Sequence, residues 1–209
     1  MSSVVSTLLT ISHWNVEGLI RNGESKLKDR AFVEHIVQND IICLSETHCD
    51  EEDVIDLHGF NCFKLCRKAN QKNKRHFGGI AILYKQSLKE GIKFLSHKND
   101  DYVWIKLVGK TLGLKKDCYI CYAYIPPENS NYYKARGQDT LEYIESELPI
   151  YSNLGNVLLI GDINARTGIA TDFVQHDEND SRISNLQYDA DLSLPHRNSQ
   201  DHKVCARGT

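Results

Sequence analysis

Apolar residues in this chain fall into short uninterrupted runs that stop at polar residues, and the clearest run lies late. Val157-Leu158-Leu159-Ile160 is followed directly by Gly161-Asp162-Ile163-Asn164. Four branched residues without alternation predict a strand covered on both faces, and Gly161 predicts a turn or a close backbone approach where the run ends. If the extended backbone continues, period-two alternation puts Asp162 and Asn164 on one face and returns Ile163 to the core. The alternative is an Asx-type turn in which both side chains satisfy nearby backbone donors.

The same reading gives the other elements. Residues 8–14 predict a first strand ending at Asn15, and regular structure stops at Gly18. Phe32 with Ile36, and Val33 with Val37, are spaced as on a helix covering about residues 27–39, with Asn39-Asp40 as its stop. Ile41-Ile42-Cys43-Leu44 predicts a second buried strand ending in Ser45-Glu46-Thr47-His48. Phe77-Gly78-Gly79 leads into a strand through Tyr84, and residues 92–95 and 102–108 predict meander strands. In the last of these, Val103, Ile105 and Leu107 share one face and Tyr102, Trp104 and Lys106 the other. Residues 117–124 predict a further strand; Pro126-Pro127 cannot supply ladder donors, which leaves Tyr124 at the tip. Within residues 132–148, Leu141, Ile144 and Leu148 form a helical stripe, and Pro149 lies just past the predicted end.

The order strand, rim residue, helix, strand, rim residue thus occurs twice, with helix-free strands between. That order predicts an α/β domain with mixed sheets whose strand tips line one rim, where such sheets bind ligands. An internal structural repeat is compatible with the order, although the two halves share no sequence similarity.

Composition narrows the picture. The chain has 209 residues, 41% of them hydrophobic and only 4 of them proline, which predicts one domain over residues 1–209 with one sizeable core. A formal net charge of -3 supplies no global positive field, so a polyanionic ligand would have to be held locally. Lys64, Arg67, Lys68, Lys72, Lys74 and Arg75 offer one such place, either as a solvated loop or as a phosphate-binding flank. No apolar run approaches the roughly 20 residues that span a bilayer, and residues 1–10 lack the pattern of a signal peptide. The expectation is an intracellular chain, nuclear or cytoplasmic, without a membrane partner. Seven cysteines, none at zinc-site spacing, are expected to be reduced packing residues, with Cys118 and Cys121 on opposite faces of their strand.

Four rim elements converge on strand ends: Asn15, Glu46, Tyr124 and the Asp162/Asn164 pair. The motifs that carry them are His13-Trp14-Asn15-Val16-Glu17-Gly18, Leu44-Ser45-Glu46-Thr47-His48, Gly78-Gly79-Ile80-Ala81-Ile82, Tyr124-Ile125-Pro126-Pro127 and Gly161-Asp162-Ile163-Asn164. In content and order this chain resembles the endonuclease/exonuclease/phosphatase superfamily, the fold shared by DNase I and the apurinic/apyrimidinic endonucleases. The extension Ala165-Arg166-Thr167-Gly168 looks most like the endonuclease domains that accompany reverse transcriptases in non-LTR retrotransposons, or host genes derived from them.

The resemblance implies a four-layer α/β sandwich of two mixed β-sheets flanked by helices, and Mg²⁺-dependent phosphodiester hydrolysis, with Mn²⁺ as a substitute, on a DNA substrate. It implies Glu46 and Asn15 as metal ligands. Asp162 would orient or deprotonate the attacking water, Asn164 would contact the phosphate or the nucleophile, and Tyr124 would hydrogen-bond a phosphate oxygen or the leaving group. A hard cation that prefers oxygen and keeps several waters suits such a set, and positioning with charge neutralisation is most of what the reaction requires. Alternative readings are a phosphatase or phosphodiesterase of the same superfamily acting on a non-DNA substrate, and a non-catalytic nucleic-acid-binding module.

One family feature is missing from the pattern. The family completes its site with a late Ser-Asp-His motif and a further aspartate, whereas residues 171–200 are polar without a strand pattern. Ser199-Gln200-Asp201-His202 contains an Asp-His pair but no apolar strand precedes it. The expectation is a domain incomplete at its C-terminus, with an unpaired sheet edge, part of the core uncovered and impaired hydrolysis.

Overall fold

In a computed structural model the described residues are 8–21, 23–68, 76–95, 97–127, 130–134 and 139–165. The chain divides into two compact units, Met1–Ile163 and Asn164–Thr209. The elements below belong to the first unit. In chain order they are β1 (Ile11–Asn15), β2 (Ile20–Arg21), β3 (Glu24–Ser25), α1 (Arg30–Ile36), β4 (Ile41–Ser45), β5 (Phe60–Leu65), β6 (Ile80–Lys85), β7 (Ile92–Phe94), β8 (Tyr102–Leu107), α2 (Gly109–Leu112), β9 (Cys118–Tyr124), α3 (Asn131–Lys134), α4 (Thr140–Leu154) and β10 (Asn156–Asp162).

Two four-stranded mixed sheets form, ordered β1-β4-β6-β5 and β10-β9-β8-β7. Each repeats one pairing pattern. β1 runs parallel to β4, and β4-β6-β5 continue antiparallel; β10 runs parallel to β9, and β9-β8-β7 continue antiparallel. A parallel pair needs a crossover, and α1 and α4 supply the two.

Side-chain alternation places the sheets in the middle of a four-layer stack. Cys43, Ile80 and Ile82 from one sheet meet Val103, Ile105, Ile120 and Tyr122 from the other in the central cluster. The opposite faces carry Ile42, Leu44 and Leu83 against α1, and Tyr102, Trp104 and Cys121 against α4. β8 therefore splits its faces as its sequence predicts, and Cys118 and Cys121 fall on opposite sides of β9. The six described cysteines are free thiols, and burial pushes that of Cys43 up to about 12.

Four expectations change. The helix expected over residues 27–39 is a 3₁₀ turn at Lys26–Lys28 followed by α1, because Asp29 intervenes as an N-cap accepting from Ala31 N at 2.9 Å and Phe32 N at 3.3 Å. β5 occupies the start of the basic stretch. α4 runs through Pro149 to Leu154 rather than ending before it. The lost amide bond is offset by packing beyond the proline, where the Tyr151 ring lies 4.3 Å from that of Trp104 and 5.1 Å from that of Tyr119. Leu148 is exposed, and the packing face instead carries Glu147, which accepts from Trp104 Nε1 at 2.9 Å and Tyr102 Oη at 3.0 Å.

The fourth correction concerns the strand expected to be buried on both faces. β10 lies at a sheet edge with β9 as its ladder neighbour among the described residues, and Leu158 and Leu159 remain 40% and 50% exposed. Its apolar run has the sequence of an interior strand in an edge position.

Candidate active site

β1 and β10 end on the same side of the two sheets and bring their terminal polar residues together. Asn15 Nδ2 donates to Asp162 Oδ2 at 3.3 Å. The other end of the amide is also occupied, since Asn15 Oδ1 accepts from Glu17 N at 3.1 Å and Glu17 takes a left-handed φ of 44°. Asn15 is thus both a turn residue and a tether to the second sheet. Beyond it the chain stays beside the end of β4, with Gly18 N donating to Glu46 O at 2.7 Å and Leu19 N to Thr47 O at 2.8 Å.

Glu46 follows β4 directly and leaves the sheet through a left-handed φ of 53°. Its neighbours are pinned from the opposite side by His48 N donating to Gly78 O at 2.9 Å. Gly79 permits this approach: a Cβ there would lie 2.7 Å from Thr47 Oγ1. The Glu46 carboxylate accepts from the Tyr124 hydroxyl at 2.6 Å, which joins the tips of β4 and β9. Burial, and then the bond to Glu46, raise the Tyr124 pKa well above the usual phenol range, so its proton stays on and the hydroxyl is a donor. His48 Nε2 lies 3.9 Å from Glu46 Oε2, and burial lowers the pKa of this imidazole.

Asp162 is in register with Tyr124 on the parallel neighbour, and its carbonyl accepts from Ile125 N at 2.9 Å. Gly161 makes the approach possible: its φ is 135°, and a Cβ would lie 1.9 Å from Ala123 O. The close approach expected at this glycine is therefore present. The alternation expected beyond it is not. β10 stops at Asp162, Ile163 is 37% exposed instead of returning to the core, and Asn164 takes a φ of 50° at the head of the second unit. Asn15, Glu46, Tyr124 and Asp162 are thus gathered within the first unit, while Asn164 belongs to the second.

Of the three described cations of the basic stretch, Lys64 and Arg67 are committed to internal contacts and Lys68 is exposed. Lys64 Nζ donates to the carbonyls of Asp50, Glu51 and Asp53 at 2.9, 2.7 and 2.7 Å, closing the loop after Glu46. Arg67 is buried and paired with Asp101. Neither is available as a phosphate contact. Lys72, Lys74 and Arg75 lie outside the described residues, as do Asp201 and His202. The sequence reading placed Arg67 in a solvated loop or phosphate-binding flank and did not single out Asp101, because a buried arginine inside a basic run has no local signature. A cavity of about 500 Å³ adjoins the site, lined by Glu17, Gly18, Ile20, Arg21, His48, His76 and Phe77.

Residues 12–183 match the Endonuclease/Exonuclease/phosphatase family. The chain belongs to that family. No curated protein matches it. Among solved structures, the APE2 catalytic domain of Xenopus laevis is similar at 17% identity and a TM-score of 0.52, covering 79% of this chain and 62% of that one. The 3′ phosphatase NExo from Neisseria, solved with a product DNA hairpin, is similar at 18% identity and a TM-score of 0.51, covering 77% of this chain and 60% of that one. This chain therefore spans about three fifths of the length of either structure. The two mixed sheets with flanking helices are the DNase I-like fold these proteins share.

Family nucleases and phosphatases are Mg²⁺-dependent, and the residues present suit such an ion. Two carboxylates, an amide and a phenol, all hard oxygen donors, occupy adjoining strand tips. Among the described residues no group of three or more His, Cys, Asp or Glu forms a closed metal cage. A site of one or two carboxylates completed by water and substrate is the arrangement this donor set allows.

Proposed function

We propose that this chain is a divalent-metal-dependent phosphodiester hydrolase that nicks DNA, of the type that accompanies reverse transcriptases in non-LTR retrotransposons or of a host gene derived from one. The observation that carries the reading is the joining of four strand tips through two hydrogen bonds, Asn15 to Asp162 and Tyr124 to Glu46. The motif Gly161-Asp162-Ile163-Asn164-Ala165-Arg166-Thr167-Gly168 supports the retrotransposon type. In this reading residues 1–209 belong to one catalytic domain, intracellular, with DNA as its substrate.

Glu46 and Asn15 would hold Mg²⁺, with Mn²⁺ as a substitute; the ion supplies charge neutralisation at the scissile phosphate. Asp162 accepts a proton from the attacking water, and Asn15 aims its carboxylate by donating to Oδ2. Tyr124 has a single O–H, now directed at Glu46, so a phosphate oxygen takes that proton only by displacing the carboxylate as acceptor. Asn164 contacts the phosphate or the nucleophile.

The test is nicking of supercoiled plasmid in Mg²⁺ and in chelator, by the wild type and by Asp162→Asn. Mg²⁺-dependent nicking that falls by about 10³-fold in the variant supports the reading. DNA binding without nicking, or release of inorganic phosphate from a monoester with the plasmid intact, would replace it with a binding module or a phosphatase.

A further inference from the structure

We infer that Arg67 is a positioning residue for this chemistry: its buried guanidinium holds Tyr124 where the phenol reaches Glu46. The inference rests on the hydrolase reading above. Arg67 is 3% exposed and Asp101 1% exposed. Arg67 Nη2 pairs with Asp101 Oδ1 and also donates to Tyr124 O at 3.0 Å. The guanidinium carbon lies 4.8 Å from the centroid of the Tyr124 ring and 4.3 Å from that of Tyr132. One side chain thus grips Tyr124 by its backbone and by a ring face, while Glu46 takes its hydroxyl.

The surrounding structure is built to receive this group. Asp101 Oδ2 accepts from the Thr140 hydroxyl at 3.0 Å, Asp101 N donates to Asn99 Oδ1 at 2.9 Å, and Asp101 O accepts from Tyr124 N at 2.8 Å. Gly78 has a φ of 73°, and a Cβ there would lie 2.1 Å from Arg67 Nη1, so the glycine leaves room for the guanidinium. Only a planar guanidinium stacks on rings while bonding in its own plane; a lysine ammonium keeps the charge but loses the stack. Burying an ion pair brings little net stability over an apolar pair of similar size, so stability alone gives no reason to place one beneath Tyr124. The positive charge also opposes the rise in phenol pKa that burial and Glu46 cause.

The test compares Arg67→Lys with the double variant Arg67→Met/Asp101→Asn, which leaves no unpaired buried charge, each with and without Tyr124→Phe. Two readouts are taken: steady-state nicking in Mg²⁺, and the ¹³Cζ resonance of Tyr124 in ring-labelled protein, assigned by its absence in Tyr124→Phe. The expected result is a fall in kcat of about 10- to 100-fold for the double variant and a smaller fall for Arg67→Lys, at near-constant KM. That fall disappears in the Tyr124→Phe background, and the Tyr124 resonance shifts. An equal fall in both backgrounds, a raised KM at constant kcat, or an unmoved resonance in a folded variant would overturn the inference. If the wild type does not nick DNA the hydrolase reading fails by itself, and the resonance still decides whether Arg67 positions Tyr124.

Discussion

Asn15 and Asp162 stand 147 positions apart in the chain and meet through a 3.3 Å hydrogen bond between amide and carboxylate. Each ends an outer strand of its sheet, so the bond ties the open ends of the two sheets together. The pair beside it, Tyr124 and Glu46, ties the inner strands in the same way at 2.6 Å. These two bonds make the site sensitive to small changes in how the sheets meet.

Tyr124→Phe removes one hydroxyl and leaves the ring packing intact. Nicking is expected to fall by about 10²-fold, the loss typical of a single donor aimed at developing charge. Glu46 is partly exposed and recovers a partner from water, so the unfolding free energy measured in urea should change by no more than about 0.5 kcal/mol. A larger loss of stability would make the phenol a structural group first.

Gly161→Ala should disturb both the fold and the site. Its Cβ would fall 1.9 Å from Ala123 O at a φ of 135°, combining steric overlap with a disfavoured backbone. A cost of about 3 kcal/mol is expected, measured by urea unfolding. Gly23→Ala is the control, because its φ is 78° but nothing lies within 4 Å of the added atom. That variant should lose only about 1 kcal/mol.

Stability should depend on His13. Burial lowers its pKa below the usual 6.5, partly opposed by the Asp162 charge, so the folded protein keeps the imidazole neutral where the unfolded chain protonates it. The unfolded state then binds more protons, and stability is full above pH 6.5 and falls as pH drops through the folded pKa. His48 shifts in the same direction. Melting curves between pH 7 and 5 should show this fall, by less than about 1.4 kcal/mol per pH unit for each group. His13→Gln should make the fall shallower; an unchanged slope would remove His13 from the account.

Lys64 separates a structural cation from a DNA contact. With its ammonium on three carbonyls of the loop at residues 50–53, Lys64→Met should destabilise the protein by about 1–2 kcal/mol. The salt dependence of DNA binding should stay the same, whereas loss of a phosphate contact would lower its slope by about 0.9. A reduced slope would return Lys64 to the DNA-facing surface.

Much of the architecture was legible from period and punctuation. The apolar run before Ser45, the prolines after Tyr124 and the glycine before Asp162 mark strand ends by local rules, and the structure ends β4, β9 and β10 there. Less legible were residues whose environment comes from another part of the chain. Arg67 and Lys64 look alike in a basic run, yet one closes a loop and the other pairs with Asp101 across the sheets. Leu158 and Leu159 look interior because hydrophobicity does not report which ladder positions are filled. Pro149 reads as a helix stop, and rings packed beyond it carry the helix on.

By itself the sequence determined that Asn15, Glu46, Tyr124 and Asp162 stand at strand tips and how the two faces of β8 divide, because alternation and the exclusion of water act within a few neighbouring residues. It also determined the family, through motifs at those tips. Tertiary structure decided that Asn15 reaches Asp162, that Tyr124 reaches Glu46, and that a buried guanidinium lies beneath the phenol. Those pairings depend on how two sheets stack, and that stacking is set by the burial of the central cluster from both sheets at once, which no single segment specifies.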